Sequence, residues 1–307
     1  MRFDEKLLLI KLESTYGTDA TPTGAANAIL SKDVEVTPLE AEALERGLVK
    51  PYLGADEDIL VGEHVLLTGK TELQGSGSLG VAPGLGVILR SSGFAEIIAA
   101  GASVEYVLAA ENYESATVYF YQGKTKHAML GAMSSVKVML EKGIPYLEFN
   151  YIGLWVDPAK VATPTADFST WQKPTPTGAG RTSAFMLNGF AAEPTKLNLD
   201  VGQEVKYIES LTTAKIDITQ RSASGSTTIL APELDQHNYF DDAKNSVTGT
   251  LSIQHGNTAG KIVTVACPKV QAKAPKYGEF EGQATLDMDL KLIPTSAGND
   301  EIKFTFT

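Results

Sequence analysis

Cysteine is nearly absent: Cys267 is the only one in 307 residues. No disulfide can form within the chain, and no cysteine-rich metal site is possible. Set in IVTVACPKV, that residue reads as a small core residue of a strand. The four histidines, His64, His127, His237 and His255, are far apart and in no H-E-x-x-H or H-x-H pairing. No metal centre is therefore indicated, and the acids near two of them, in DILVGEH (58–64) and DQHNYFDD (235–242), read as solvated loop residues. There is no G-x-S-x-G nucleophile elbow. No apolar run reaches the roughly 18 residues of a membrane span. The opening MRFDEKLLLIKLEST has neither a secretory n-region nor a cleavage site, so a soluble protein made in a cytosol, with no membrane partner, is expected. Basic charge is scarce too: 26 Lys and Arg face 37 Asp and Glu, for a formal net charge of −11. Affinity for nucleic acid comes mainly from cations that neutralise phosphates, so such a chain is expected to repel DNA. What remains is an ordinary globular composition, 43% hydrophobic, long enough for two cores.

One glycine-rich stretch invites a catalytic reading. TELQGSGSLG (71–80) contains G-x-G-x-x-G between a predicted strand and a predicted helix, GLGVILRSS, the setting of a dinucleotide-binding loop. That loop belongs to parallel βαβ units, and no series of amphipathic helices alternates with strands here. Glu96, near the distance at which a ribose-binding acid is expected, falls inside the helical pattern instead. The glycines read as a flexible joint between strand and helix. The aromatic run VYFY (118–121) has only Lys124 and Lys126 beside it, which suits strand packing better than a platform for stacked bases.

What the chain has in quantity is period-two alternation. KDVEVTP, HVLLTGKTEL, ATVYFYQ, SSVKVMLEKG and PYLEFNYIGLWV each predict a half-buried antiparallel strand. So do KLNLDVGQEVKYI, AKIDITQ, GSTTILAP, TGTLSIQHG, KIVTVACPKVQAK and GQATLDMDLKLIP. One helix is predicted, over Leu85–Ala100, with Val87, Ile88, Phe94 and Ile97 on or near its apolar face. EAEALER (40–46) fits either a short helix or one arm of a charged hairpin. Residues 1–31, rich in Gly, Thr and small residues, predict an extended arm. Residues 159–184, with three prolines, predict a linker.

The segments on either side of that linker lie over one another in order. DVEVTPLEAEALERGL falls on KLNLDVGQEVKYIESL, TGKTEL on SGSTTI, YQGKTKHAMLGAMSSVKVML on QHGNTAGKIVTVACPKVQAK, and PYLEFNYIGLWVDP on GQATLDMDLKLIP. The expectation is two tandem, superposable β domains, 32–158 and 185–307, the second with its helix shortened to ELDQHNYFDDAKN.

The ordered set as a whole resembles the tail tube proteins (major tail proteins) of long, non-contractile-tailed phages. The resemblance runs from YGTDATPTGAANAILSKDVEVTPLEAEALERGLVKPYLG to YGEFEGQATLDMDLKLIPTSAGNDEIKFTF and is weakest at 101–115 and 159–184. It implies a mainly β structural protein of the virion tail: antiparallel β-sandwich or barrel domains with one flanking helix, no catalysis, no cofactor and no metal. Strands of neighbouring subunits are expected to join into a closed β-barrel ring. Rings stack into a tube that conducts the genome without binding it. The tandem repeat points to three subunits per ring with pseudo-sixfold symmetry. The expected partners are further copies of the chain and other tail proteins, such as the tape measure, tail-terminator and distal tail proteins. Assembly would take place in the host cytoplasm. A soluble two-domain β-sandwich binding module, or a fibre or adhesin subunit, would share the composition. In a closed barrel alternate residues face inward, so the candidate channel lining is Lys137, Glu148, Asn150, Asp287, Asp289 and Lys291, an acidic to mixed surface.

Overall fold

The computed structural model describes residues 5–307. In the first half, strands are β1 (Lys6–Leu12), β2 (Ala28–Ile29), β3 (Ser31–Leu44), β4 (Ile59–Glu72), β5 (Phe94–Ala99), β6 (Ser103–Leu108), β7 (Ala116–Gln122), β8 (Thr125–Leu140), β9 (Tyr146–Trp155) and β10 (Ala159–Lys160). In the second they are β11 (Thr182–Leu187), β12 (Phe190–Ala191), β13 (Pro194–Asp200), β14 (Gln203–Glu209), β15 (Ala214–Arg221), β16 (Ser224–Leu230), β17 (Gly249–His255), β18 (Val263–Phe280), β19 (Gln283–Leu292) and β20 (Lys303–Phe306). Three short helices interrupt them: α1 (Gly24–Asn27), α2 (Gly86–Ser91) and α3 (Tyr239–Lys244). Every strand pairing among the described residues is antiparallel, as the alternating sequence requires.

In the first half the strands neighbour one another in the order β2-β1-β7-β8-β9-β4-β3. In the second the order is β12-β11-β17-β18-β19-β16-β13. The long hairpin β3–β4 has its counterpart in a hairpin of two stages, β13–β16 at the base and β14–β15 at the tip. EAEALER is therefore a hairpin arm and not a helix.

The halves are joined twice through their sheets. The far end of β8 pairs with β13 over Lys137–Leu140 and Leu197–Asp200. The hairpin β5–β6 of the first half pairs through β6 with β20, and β20 with β18. A single buried cluster accordingly runs from Leu8 and Ile10 through Leu67, Phe149 and Val136 to Leu199, Met288 and Phe304.

Two sequence expectations are corrected here. The segment read as an extended arm contains β1, which lies between β2 and β7. Leu7, Leu8, Leu9 and Ile10 are all buried, with Leu8 and Ile10 in the main core and Leu7 and Leu9 packed with Tyr119 and Tyr121. An uninterrupted apolar run is what a strand covered on both faces carries. The chain after it is tied down as well. The Glu13 carboxylate accepts hydrogen bonds from the hydroxyls of Ser115 and Thr117 and from the Gly17 and Gly131 amides, at 2.7–2.9 Å. Residues 1–4 of the expected arm lie outside the described residues.

The expected helix over Leu85–Ala100 is also shorter. α2 has six residues and stops at Gly93, whose φ of +81° is the left-handed turn that ends a helix. The chain then reverses into β5. Val87 and Ile88 lie on the helix, Val87 half-buried and Ile88 buried; Phe94 and Ile97 lie on the strand, Phe94 buried and Ile97 51% exposed. The expected difference between a long first helix and a vestigial second does not hold, because α3 also has six residues.

Two glycines of GSGSLG, Gly75 and Gly77, find their reason in packing between the halves. The Gly77 amide donates to the Gly260 carbonyl at 2.8 Å, and a Cβ on Gly75 would stand 2.2 Å from the same oxygen. A Cβ on Gly260 would meet the Gly77 carbonyl carbon at 2.4 Å. Two backbones touch here with no room for a side chain. Gly75→Ala is expected to lower stability by about 1–3 kcal/mol through overpacking, read as a lower urea midpoint; an unchanged midpoint would contradict the contact.

The predicted linker crosses this same region. Trp171 donates through Nε1 to the Ala28 carbonyl at 3.1 Å. His255, buried, faces the Thr175 carbonyl through Nε2 at 2.9 Å and the Thr182 hydroxyl through Nδ1 at 3.0 Å. Burial pushes its pKa below the usual histidine value, so the neutral ring holds the linker.

Candidate functional site

Between the two halves runs one continuous sheet of eight strands, in the order β3-β4-β9-β8-β13-β16-β19-β18. In a sheet side chains alternate between faces, and directly paired residues share a face. One face is buried: Leu67, Leu147, Phe149, Val136, Val138, Leu197, Leu199, Ile229, Met288 and Leu290 lie on it. The other is polar along the rows that run from Glu35 and Lys70 to Lys273; at one end, by Leu66, Ile152, Leu154 and Met133, it is apolar and covered by the β14–β15 hairpin.

All six candidate lining residues lie on that polar face. Glu148 is paired with Lys70 on one side and Lys137 on the other, and Lys137 is paired in turn with Asp200 across the joint between the halves. Asn150 stands between Thr68 and Ser135. Asp287 is paired with Thr228 and Lys276, Asp289 with Ser226 and Lys273, and Lys291 with Ser224 and Gln271. Asn150, Asp287, Asp289 and Lys291 are exposed; Lys137 and Glu148 are half-buried.

Register supplies what alternation could not: the neighbours. Lys70, Asp200, Lys273 and Lys276 belong to this face and were not singled out from the sequence, because cross-strand pairing is invisible until the register is known. Their presence changes the electrostatics. Glu148, Asp200, Asp287 and Asp289 each have a lysine directly across an adjacent strand. The Lys70 ammonium lies 2.9 Å from Glu148, and the Thr228 hydroxyl donates to Asp287 at 2.6 Å. That contact raises the lysine pKa further, chiefly through the hydrogen bond to Glu148. The face is charge-paired rather than acidic. Much of the net negative charge lies elsewhere: residues 40–63, around the β3–β4 turn, hold seven of the acids and only two bases.

The sheet is open. Among the described residues β3 pairs only with β4, and β18 beyond Val270 pairs only with β19. Each free edge carries a one-residue bulge, between Lys32 and Glu35 and between Lys273 and Lys276, with Asp33 and Ala274 at positive φ. Beside β3 lies a groove of about 630 Å³ lined by Leu8, Leu30, Val34, Phe120 and Phe168. The charged turn of the β3–β4 hairpin also carries unburied apolar side chains, with Val49 and Leu53 fully exposed. The equivalent tip in the second half is packed instead: Ile216 and Ile218 bury against Met133, with Tyr207 stacked on His64 at 5.1 Å.

Among the described residues no cluster of three or more His, Cys, Asp or Glu is placed to hold a metal ion, and no helix is long and apolar enough to cross a membrane. Cys267 is buried, and burial raises its thiol pKa.

No curated protein matches the chain. A family model does, and over almost its whole length: the model for phage tail tube protein matches residues 4–303. With its antiparallel sheets and its match over almost the whole length, the chain belongs to the phage tail tube protein family.

Proposed function

We propose that this protein forms rings of three copies, stacked into the tube through which the phage genome leaves the virion, with the polar face of the eight-stranded sheet turned to the channel. Membership of the family makes it a structural protein of the virion tail that self-assembles into a tube with other tail proteins. The ring of three, the stacking and the lining are our reading. The observation that carries it is the in-chain joint of β8 and β13. There one half already adds its sheet edge to the other in the way that separate subunits would. The matching strand orders favour two tandem tube domains in each copy, and hence three copies where single-domain subunits would need six. Unpaired edge strands are templates for pairing with another chain, and a closed ring removes them.

A conduit for DNA must not grip it. Non-specific affinity grows with the number of cations free to displace counterions from phosphates. A lining in which Lys70, Lys137, Lys273 and Lys276 each stand across from a carboxylate offers few such cations, Lys291 among them. The β3–β4 turn, with Val49 and Leu53 fully exposed, is assigned to contacts between rings.

Concentrating the purified protein tests the reading. Negative-stain microscopy should show rings or tubes; a monomer at every concentration would contradict it. The lining has its own test. Asp287→Lys with Asp289→Lys leaves Lys273 and Lys276 without their counter-charges. Tubes should still form, but DNA should now bind them with an affinity that falls as salt rises, and ejection should slow. Wild-type ejection at low salt would show that this face does not meet the genome.

A further inference from the structure

The chain contains a template for the joint between subunits, and we infer from it the partner and register of both free edges: β3 of one copy pairs with the far half of β18 of the next, antiparallel, with Glu35 opposite Lys273. This rests on the ring reading above and adds residues to it.

The derivation follows rows of paired residues. In the first half one row runs Lys70–Glu148–Lys137 and crosses the joint to Asp200. In the second half the matching row runs Ser226–Asp289–Lys273 and stops at the free edge. Lys70 and Ser226 are equivalent because each follows the glycine of its strand, Gly69 or Gly225. Lys273 therefore holds the place of Lys137. The equivalent of Asp200 comes from the other edge. Asp200 is paired with Ser224, just before Gly225; just before Gly69 stands Thr68, and it is paired with Glu35. The acid–base pair Lys137–Asp200 of the internal joint thus recurs as Lys273–Glu35 between copies, with the signs kept. Both residues are exposed.

Two further features agree with this register. Run antiparallel from that pair, the bulge after Lys273 comes opposite the bulge before Glu35, so the extra residues match and pairing can continue. On the buried side, Tyr277 takes the place of Leu140. Leu140 is 5% exposed because it lies against Leu197 in the internal joint, whereas Tyr277 is 68% exposed. The groove beside Leu30, Val34 and Phe168 is where its ring would go. One pairing is unfavourable, since Lys276 comes opposite Lys32. The Lys32 ammonium lies 5.4 Å from the centre of the Tyr146 ring and Lys276 has Asp287 across from it, which separates the two cations.

Cysteine pairs read the register directly, because the sole native cysteine is buried. Lys137→Cys with Asp200→Cys should oxidise within one chain and calibrates the geometry. Glu35→Cys with Lys273→Cys should oxidise between chains, giving a ladder on a non-reducing gel that ends at three, in assembled tubes only. Tubes with no inter-chain bond, while the internal pair oxidises, would overturn the register and leave the tube reading standing. Failure of the unmodified protein to form tubes would overturn both. The charge pair gives a second readout. Glu35→Lys or Lys273→Glu alone should raise the concentration needed for assembly by up to about fivefold per joint, and the two together should restore it. Equal assembly by single and double variants would contradict the pairing.

Discussion

Deletion of residues 5–12 is expected to leave a chain that does not fold. The segment supplies β1, which pairs with β7 over seven residues and with β2 on its other side. Leu8, Leu9 and Ile10 are at most 2% exposed, and Leu7 is 7%. Each such side chain contributes roughly 1.5–3 kcal/mol on burial. Losing four of them, along with the hydrogen bonds of a central strand, removes a large part of the roughly 5–15 kcal/mol by which a domain is stable. The measurement is a thermal melt followed by near-ultraviolet circular dichroism: no cooperative transition should remain. A soluble truncated monomer that melts cooperatively would show that the segment is an assembly arm after all.

The second large effect separates two residues that the sequence placed on one helix. Phe94→Ala should cost about 3–5 kcal/mol. Its ring is 2% exposed and meets Phe304 edge-on, with centroids 5.4 Å apart, at the seam where the β5–β6 hairpin joins the sheet of the second half. Ile97→Asp should stay within about 0.5 kcal/mol in the monomer, because that side chain is half in solvent on an edge strand. Urea titrations of both variants decide the matter. Similar losses, or a larger one for Ile97→Asp, would restore the single-helix picture.

These cases show where the sequence could be read and where it could not. Strands announced themselves because one buried face imposes strict alternation, as in ATLDMDLKL, where Leu286, Met288 and Leu290 are buried and Asp287 and Asp289 exposed. The polar face followed from the same alternation, so all six candidate lining residues came out on one side. β1 was missed because a strand covered on both faces does not alternate; KLLLIKL carried the signal as a continuous apolar run. The length of α2 was missed because Ile97 and Ile98 extend a helical spacing that Gly93 cuts. The paired lysines were missed for a different reason. Charge composition is local to the chain, but the potential of a surface depends on register: Lys70 meets Glu148, and Lys137 meets Asp200, only through strands distant in sequence, and Lys273 meets Asp289 only in one register of its hairpin. GSGSLG was the converse case, a local motif whose meaning lay in a distant contact, the backbone of Gly260.

The account stands most directly on how the sheet sits in the assembled tube. A cryo-electron microscopy reconstruction of tubes grown from the purified protein measures it. The expected map has threefold rings, a continuous β wall in which β18 of one copy adjoins β3 of the next, and Glu148, Asp289 and Lys291 facing the channel. Rings of another order, or the same face turned outward with Leu67 and Phe149 on the channel side, would contradict it.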